Sequence, residues 1–395
     1  MATASATDRL SELSDDILLT AILSNISYRD VVRSSILSQR WRFLWRKIPV
    51  LKFCPEDFEK QKDDMRIQAI INNALLHLDA RLCCLDLQIF LNSPKAIDLN
   101  NWIRLAAEKK VKSMHLEISC TPIMGFSMAR LGDSLFSCEN LINLQLRSIH
   151  LPKIPANSGV FPFLKTFYCF HIPNLDDSMF EGLIALCPQL RNLLIRGCGG
   201  LEKLKIHSSS LMYLNLGVSS PYSSLQMACP LLTEISLMDF WPYHIGLKLL
   251  QGISKAESIK KITLRNHNVR DPFHPGIPTI TALNAFPGLE ELTIHGLCFQ
   301  EMISDRMQIA EVKLSNLKMV RAHIGTHKGG RALTFLGFLL KNSPLTSIIR
   351  VYLPQLCTGI MQNKMKDLEK QFSKSRSFTF TNSNGCEFCE RCPEY

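Results

Sequence analysis

The chain has 395 residues, 45 Lys and Arg against 35 Asp and Glu, and a formal net charge of +10. That length allows one large domain or several small ones, and a hydrophobic fraction of 46% is ordinary for a globular protein. No run of 18 apolar residues is free of charge, so no membrane span is expected. The opening residues MATASATDRLSEL lack the basic start and apolar core of a signal peptide. The 14 cysteines are mostly scattered singly through apolar segments, and we expect free thiols in a reducing compartment, nucleus or cytoplasm.

Residues 8–48 carry helical patterns. In DDILLTAILSNI, Ile17, Leu18, Ala21 and Ile22 share a face, Leu13 lies just ahead, and Ser14 is a candidate N-cap before two acids. RDVVRSSILS predicts a second short helix with Val32 and Ile36 on one face. SQRWRFLWRKIP predicts a third, with Trp41, Leu44, Trp45 and Ile48 at i, i+3, i+4 and i+7, ended by Pro49. Arg40, Arg42, Arg46 and Lys47 surround that stripe. Three helices in so short a span bury little surface alone, so a partner is expected to cover some of it.

From about residue 80 a unit L-x-x-L-x-L recurs with conservative swaps. It begins at 82, 111, 141, 164, 190, 201, 211, 232, 259 and 289. Several copies follow a shared lead-in: CEN at 138, FPF at 161, CPQ at 187, CPL at 229 and FPG at 286. This is the pattern of leucine-rich repeats. In LINLQL, Leu144 and Leu146 alternate with Gln145, so a strand puts both leucines inside. Each unit has one apolar face, and stacked units form a parallel sheet. The alternate residues then form an exposed row for a macromolecular partner. It includes Arg147, Tyr168, Arg196, Lys203, Lys205, Tyr213, Lys261 and Arg265, the candidate contacts, with Asn215, Ser236, Thr263, Thr293 and His295 among them. After residue 316, GFLLKNSPLTSIIRVYL predicts a helix, a turn and a strand, and MQNKMKDLEKQF an amphipathic helix.

Cys386, Cys389 and Cys392 have metal-ligand spacing, but no fourth ligand lies near, so no metal is expected. HIGTHKGGR (323–331) lacks the phosphate-loop spacing and reads as a turn. No His-Glu-x-x-His, Gly-x-Ser-x-Gly or Gly-x-Gly-x-x-Gly occurs, which leaves no specific reason to expect an enzyme or a cofactor. The cysteines before repeats 141, 190 and 232 share their place with Phe161 and Phe286, so packing explains them. Aromatic residues do not interleave with the basic row, so nucleic acid is not expected.

The segment DRLSELSDDILLTAILSNISYRDVVRSSILSQRWRFLW resembles an F-box in the form common in plants. The matching residues are Leu10, Leu13, Ile17, Leu18, Ile22, Leu23, Asp30, Val31, Arg33, Leu37, Ser38, Arg40, Trp41, Arg42, Leu44 and Trp45. The family's two Leu-Pro pairs are Leu13-Ser14 and Ile26-Ser27 here, and Gln39 stands for the usual lysine. The whole arrangement resembles the plant F-box/leucine-rich-repeat family with an FBD-like end.

The resemblance implies an α/β chain. It places an F-box helical bundle at 8–50, a connection at 51–79, leucine-rich repeats with a parallel sheet on one face at 80–316, an FBD-like segment at 317–380 and a loose tail at 381–395. It implies a non-catalytic subunit that docks on a Skp-family adaptor, and through it a cullin scaffold, while the repeats hold an unidentified protein substrate. Leu10, Leu13, Ile17, Leu18, Ile22, Val32, Ile36, Leu37, Trp41, Leu44 and Trp45 then form the bundle and its adaptor-facing surface. A repeat scaffold with a degenerate F-box is the alternative.

Overall fold

The computed structural model describes residues 10, 12–58, 63–79, 81–92, 98–120, 128–156, 161–217, 224–238, 258–265, 283, 285–295, 314–324, 329–353, 359–372 and 376–382. They divide into two compact units, Met1–Leu190 and Arg191–Tyr395.

The first unit opens with helical segments. Ser14 Oγ accepts from the Ile17 N–H at 3.4 Å and starts the first. The single α-helix expected there is instead a composite: α over Asp15–Ile17, π over Leu18–Ile22 and 3-10 over Leu23–Asn25. The cause is local. Thr20 Oγ1 donates to the Asp16 carbonyl and Ser24 Oγ to the Leu19 carbonyl, each at 2.6 Å, and such hydroxyls compete with the backbone ladder. Ser27 caps the helix Tyr28–Ser34, its Oγ accepting from the Asp30 N–H at 3.4 Å. The tryptophan segment is a 3-10 helix, Trp41–Lys47, not the expected α-helix. It ends at Ile48, which is extended as a residue before proline prefers.

Next come strands β1 (Val50–Phe53), β2 (Cys84–Leu91), β3 (Ser113–Cys120), β4 (Ala129–Arg130), β5 (Asn143–Arg147), β6 (Ile149–His150) and β7 (Thr166–Phe170). β1, β2, β3, β5 and β7 pair parallel in that order, and β4 pairs with β6. β1 carries no L-x-x-L-x-L unit, yet it joins the helical segments to the repeat sheet. Helices Asp64–His77, Leu99–Glu108 and Asp177–Ala185 complete the unit. Trp102 is fully buried, and its Nε1–H donates to Asn72 Oδ1 at 2.6 Å.

In the second unit the strands are β8 (Asn192–Arg196), β9 (Lys203–His207), β10 (Tyr213–Gly217), β11 (Ser224–Ala228), β12 (Glu234–Met238), β13 (Lys261–Arg265), β14 (Glu291–His295), β15 (Met319–His323), β16 (Ile348–Leu353) and β17 (Ser377–Asn382). β8, β10, β12, β13, β14, β15, β16 and β17 pair parallel in that order. Helices Gly329–Lys341 and Gly359–Phe372 accompany the last strands. All ten sequence units form strands, each beginning two residues into its unit. One departs from the common sheet: β9, the unit at 201, pairs with β11 in a separate two-stranded sheet.

The alternate apolar residues fill the core as expected, Leu144, Leu146, Leu214 and Leu216 among them. The lead-in residues Cys138, Phe161, Cys187, Cys229 and Phe286 are also buried. Burial pushes the Cys138 and Cys187 thiols up to about 12, so they pack as inert apolar groups.

Candidate functional site

Two surfaces merit attention, and both follow from which side chains the elements leave outside. In the helical segments at the N-terminus, the structure sorts the residues matched to the F-box pattern. Leu18, Trp41 and Leu44 are 0%, 5% and 3% exposed. They are core of this chain, which places them on the bundle side of an expectation that left bundle and partner-facing roles undivided. Ile48 is buried with them. β1, absent from the sequence reading, packs on these helical segments: its Phe53 meets Tyr28 with ring centroids 4.8 Å apart, and Tyr28 meets Trp45 edge-on at 6.3 Å. Leu13, Ile22 and Trp45 are half-buried.

The exposed apolar set is Ile36 at 85%, Leu37 at 62%, Leu10 at 48%, Ile17 at 46% and Val32 at 36%. Phe43, 57% exposed, belongs with them and was missed. It falls between the tryptophans, off the i, i+3, i+4 stripe, so a search for one helical face passes over it. Two basic residues of this segment are engaged inside the chain. Arg40 Nε donates to Asp15 Oδ1 at 2.8 Å and its Nη2 to the Leu13 carbonyl. Arg46 pairs with Asp79 at 2.9 Å and donates to the His77 carbonyl. Arg40 therefore holds the small bundle together and Arg46 ties it to the end of the helix Asp64–His77, while Arg42 lies over the exposed Phe43 ring, 5.7 Å from its centroid.

The second surface is the polar face of the repeat sheet. In the first unit a register row runs Lys52, Asp86, His115, Gln145, Tyr168 across β1, β2, β3, β5 and β7. His115 Nδ1 donates to Asp86 Oδ1 at 2.9 Å, so its Nε2 accepts from the Gln145 amide at 2.9 Å. The next row is Gln88, Glu117, Arg147, Phe170. Arg147 pairs with Glu117 at 3.6 Å and lies over the Phe170 ring at 4.5 Å. Asp86, His115, Glu117 and Phe170 were not in the expected row. The same alternation in the units at 82, 111 and 164 would have found them.

In the second unit the central row was expected to be exposed and is not. Asn215, Ser236, Thr263, Thr293 and His295 are between 3% and 7% exposed. Asn215, Ser236, Thr263 and Thr293 are in register and shorter than the side chains beside them, whereas His295 lies two residues further along β14, in register with His323. Tyr213, for example, bends over Asn215, whose Nδ2 donates to the Tyr213 hydroxyl at 3.0 Å. The flanking row runs Tyr213, Glu234, Lys261, Glu291, and Arg321 continues the central row beside Thr293. Lys261 pairs with Glu234 at 2.7 Å and Arg321 with Glu291 at 2.9 Å. Arg350 is exposed beside Arg321, its register partner. Arg196 lies across Gly217, where a Cβ would fall 2.6 Å from its Cγ. Arg265 lies in register with Met238. Lys203 and Lys205 stand apart from this row, because β9 carries them into the separate sheet with β11. His323, expected in a turn, is buried at the end of β15.

Comparison with known proteins gives these surfaces a context. Residues 10–53 match the F-box domain. Residues 99–258 match the repeats described as "FBD-associated F-box protein At5g56370, LRR repeats". The chain has an F-box followed by FBD-associated leucine-rich repeats. Its relatives include FBD-associated F-box protein At5g22730 of Arabidopsis thaliana, 32% identical over 53% of this chain and 44% of that protein. F-box/FBD/LRR-repeat protein At5g56420 of Arabidopsis thaliana is 30% identical over 59% of this chain and 56% of that one. F-box/LRR-repeat protein At3g26922, from the same plant, is 29% identical over 65% of this chain and 89% of its own length. This F-box/leucine-rich-repeat chain spans about half the length of the first two of these curated relatives.

Among the described residues no group of three or more His, Cys, Asp or Glu is placed to hold a metal ion. Cys386, Cys389, Cys392 and His327 lie outside the described residues. Among those described, no helix is long and apolar enough to cross a membrane.

Proposed function

We propose that this chain is the substrate-recognition subunit of an SCF-type ubiquitin ligase, working in the nucleus or cytoplasm. Its F-box docks on a Skp-family adaptor, which joins it to a cullin scaffold. Its repeats, with the FBD-like segment at 317–380, hold a protein substrate. It performs no chemistry itself. By holding the substrate near activated ubiquitin it converts a bimolecular encounter into a local one.

The observation that carries this reading is the number of exposed apolar side chains in one short segment: Leu10, Ile17, Val32, Ile36, Leu37 and Phe43. Six such residues within one small bundle are more than isolated surface hydrophobics, and they suit a protein interface. Leu13, Ile22 and Trp45 form its half-buried rim. On the repeat face, Arg147, Tyr168, Arg196, Tyr213, Lys261 and Arg265 are proposed substrate contacts.

The scaffold alternative draws on Ser14 and Ser27, where the family pattern has proline. Both serines cap their helices, so both helices start without it.

The test is co-expression with a plant Skp-family adaptor followed by size-exclusion chromatography. The wild-type chain is expected to co-elute with the adaptor in a stoichiometric complex. A double variant Ile36→Glu, Leu37→Glu is expected to elute alone, with an unchanged melting temperature. A wild-type chain that elutes alone favours the scaffold reading.

A further inference from the structure

The repeat sheet of the second unit ends at β17, which pairs in parallel with β16 from Ser377 to Asn382 and with no other described strand. We propose that this edge takes up, as one more strand, an extended acidic segment of a partner protein, with a carboxylate placed between two apolar residues. The inference rests on the reading that the repeats and the FBD-like segment hold a protein substrate, and it names the chemistry of the part they grip.

The backbone supplies the first observation. The Ser377 N–H donates to the Ser347 carbonyl at 2.8 Å, which sets the phase of the ladder. In such a ladder alternate residues turn their N–H and C=O to opposite sides. Ser377, Thr379 and Thr381 therefore bond to β16, while Phe378, Phe380 and Asn382 turn their backbone groups outward. None of those outward groups has a hydrogen-bond partner among the described residues. The strand SFTFTN also lacks the charge or proline that commonly blunts a sheet edge. An open edge of this kind accepts a peptide strand through main-chain hydrogen bonds.

The inner face supplies the second. On β16, Ile349 and Val351 are 0% exposed. Their register partners Phe378 and Phe380 are only half-buried, with rings stacked 6.0 Å apart. A further strand with apolar residues at both inward positions would finish that layer.

Charge decides the kind of strand. On the polar face Thr379 lies between the open edge and Arg350, its register partner. Arg350 is exposed, and no carboxylate pairs with it among the described residues. Arg321, on its other side, already holds Glu291 at 2.9 Å. A residue opposite Thr379 on an added strand would stand two strand spacings from Arg350, about 10 Å between Cα atoms, which Arg and Glu side chains span together. The surroundings are basic: from β16 to β17, Arg350, Lys364, Lys366, Lys370 and Arg376 outnumber Asp367 and Glu369 among the described residues. A second copy of β17 would bring another Arg350 to this face and no acid, so a partner carrying a carboxylate fits better than a dimer.

The test is selection of a random peptide library, displayed on phage, against the full chain, with fluorescence anisotropy of the selected peptides. Selection is expected to enrich an acid flanked on both sides by apolar residues. Replacing that acid by its amide is expected to weaken binding about fivefold, and Arg350→Gln to remove the difference at an unchanged melting temperature. N-methylation removes backbone donors. Methylating one alternate set of peptide residues is expected to lower affinity at least about tenfold, and methylating the other set to leave it nearly unchanged. No enrichment overturns the proposal, as does an equal response to both methylation sets or an acid preference that survives Arg350→Gln. A dimer of the free chain that the peptides do not dissociate, read by light scattering, assigns the edge to a second copy and overturns it too. Peptides that bind only after residues 383–395 are removed assign the edge to the chain's own end, and also overturn it. No adaptor is present in this assay, so failure here leaves adaptor docking standing, and failed co-elution leaves this result standing.

Discussion

The imidazoles of His295 and His323 stack face to face, with centroids 3.8 Å apart and planes 7° apart. His323 in turn stacks on Tyr352 at 4.2 Å. The three residues sit on neighbouring strands β14, β15 and β16. Burial, first, and the nearby cations Arg265 and Arg321 hold the His323 pKa down to about 3. Unfolded, a histidine titrates near 6.5. Between those values the unfolded chain binds a proton that the folded chain refuses, so stability is present above about pH 6.5 and is lost as pH falls toward 3. At pH 5 the loss from this one residue is about 2 kcal/mol relative to pH 7. His323→Phe keeps a stacked ring without the titration. Its melting temperature is expected to fall less steeply between pH 7 and pH 5 than the wild type's, as read by calorimetry. Parallel curves would mean that His323 is not the group responsible.

The division of the F-box residues predicts opposite phenotypes for two chemically similar changes. Leu18 is fully buried, so Leu18→Ala is expected to cost about 3 kcal/mol of stability in denaturant titration. Ile36 is 85% exposed, and Ile36→Ala is expected to stay within about 0.5 kcal/mol. Its effect should appear in adaptor co-elution, where Leu18→Ala should act only as far as it unfolds the bundle.

Ser27 stands where the family carries proline. Its φ of −67° is the value proline fixes, and Ile26 before it is already extended at φ −109°, ψ 163°. Ser27→Ala removes the cap and is expected to cost about 1 kcal/mol. Ser27→Pro loses the cap too but restricts the unfolded chain, and is expected to lie nearer the wild type than Ser27→Ala. If proline proves the worse of the two, the backbone here needs its N–H.

Gly217 lets Arg196 cross the sheet. A Cβ there would lie 2.6 Å from Arg196 Cγ and 3.2 Å from its Cα. Gly217→Ala is expected to cost about 1–3 kcal/mol. Arg196→Ala in the same chain removes the closest clash and should recover part of that loss, measured as coupling in a double-mutant cycle.

Much of the fold was legible because the repeats state their own geometry. Leucines at alternate positions bury one face of a strand whatever its neighbours do, and all ten units became strands. What alternation does not encode is the neighbour. The unit LEKLKI at 201 has the same pattern as the units at 190 and 211, yet its strand pairs with β11, whose sequence SLQMA carries a weaker signal. β1 escaped notice because VLKF is short and has no leucine-rich partner in sequence. The buried polar row in the second unit was illegible for another reason. Alternation says which side of the sheet a residue faces, but whether long neighbours close over a short one depends on lateral register.

The β9–β11 pair carries a consequence for how such chains change length. Asn192 pairs with Tyr213 and Tyr213 with Glu234, while on the second sheet Lys203 pairs with Ser224. Each step is 21 residues, so here the chain winds in coils of one length with a strand in each sheet. Excising one whole coil would leave both ladders in phase and bring every later strand one place nearer the first. The polar face would then be recomposed at one seam, where the strands on either side of the excised coil become neighbours, while Arg265 and His323 keep their own partners, without a single substitution. Gain and loss of coils is thus a route to a new target that leaves the core untouched.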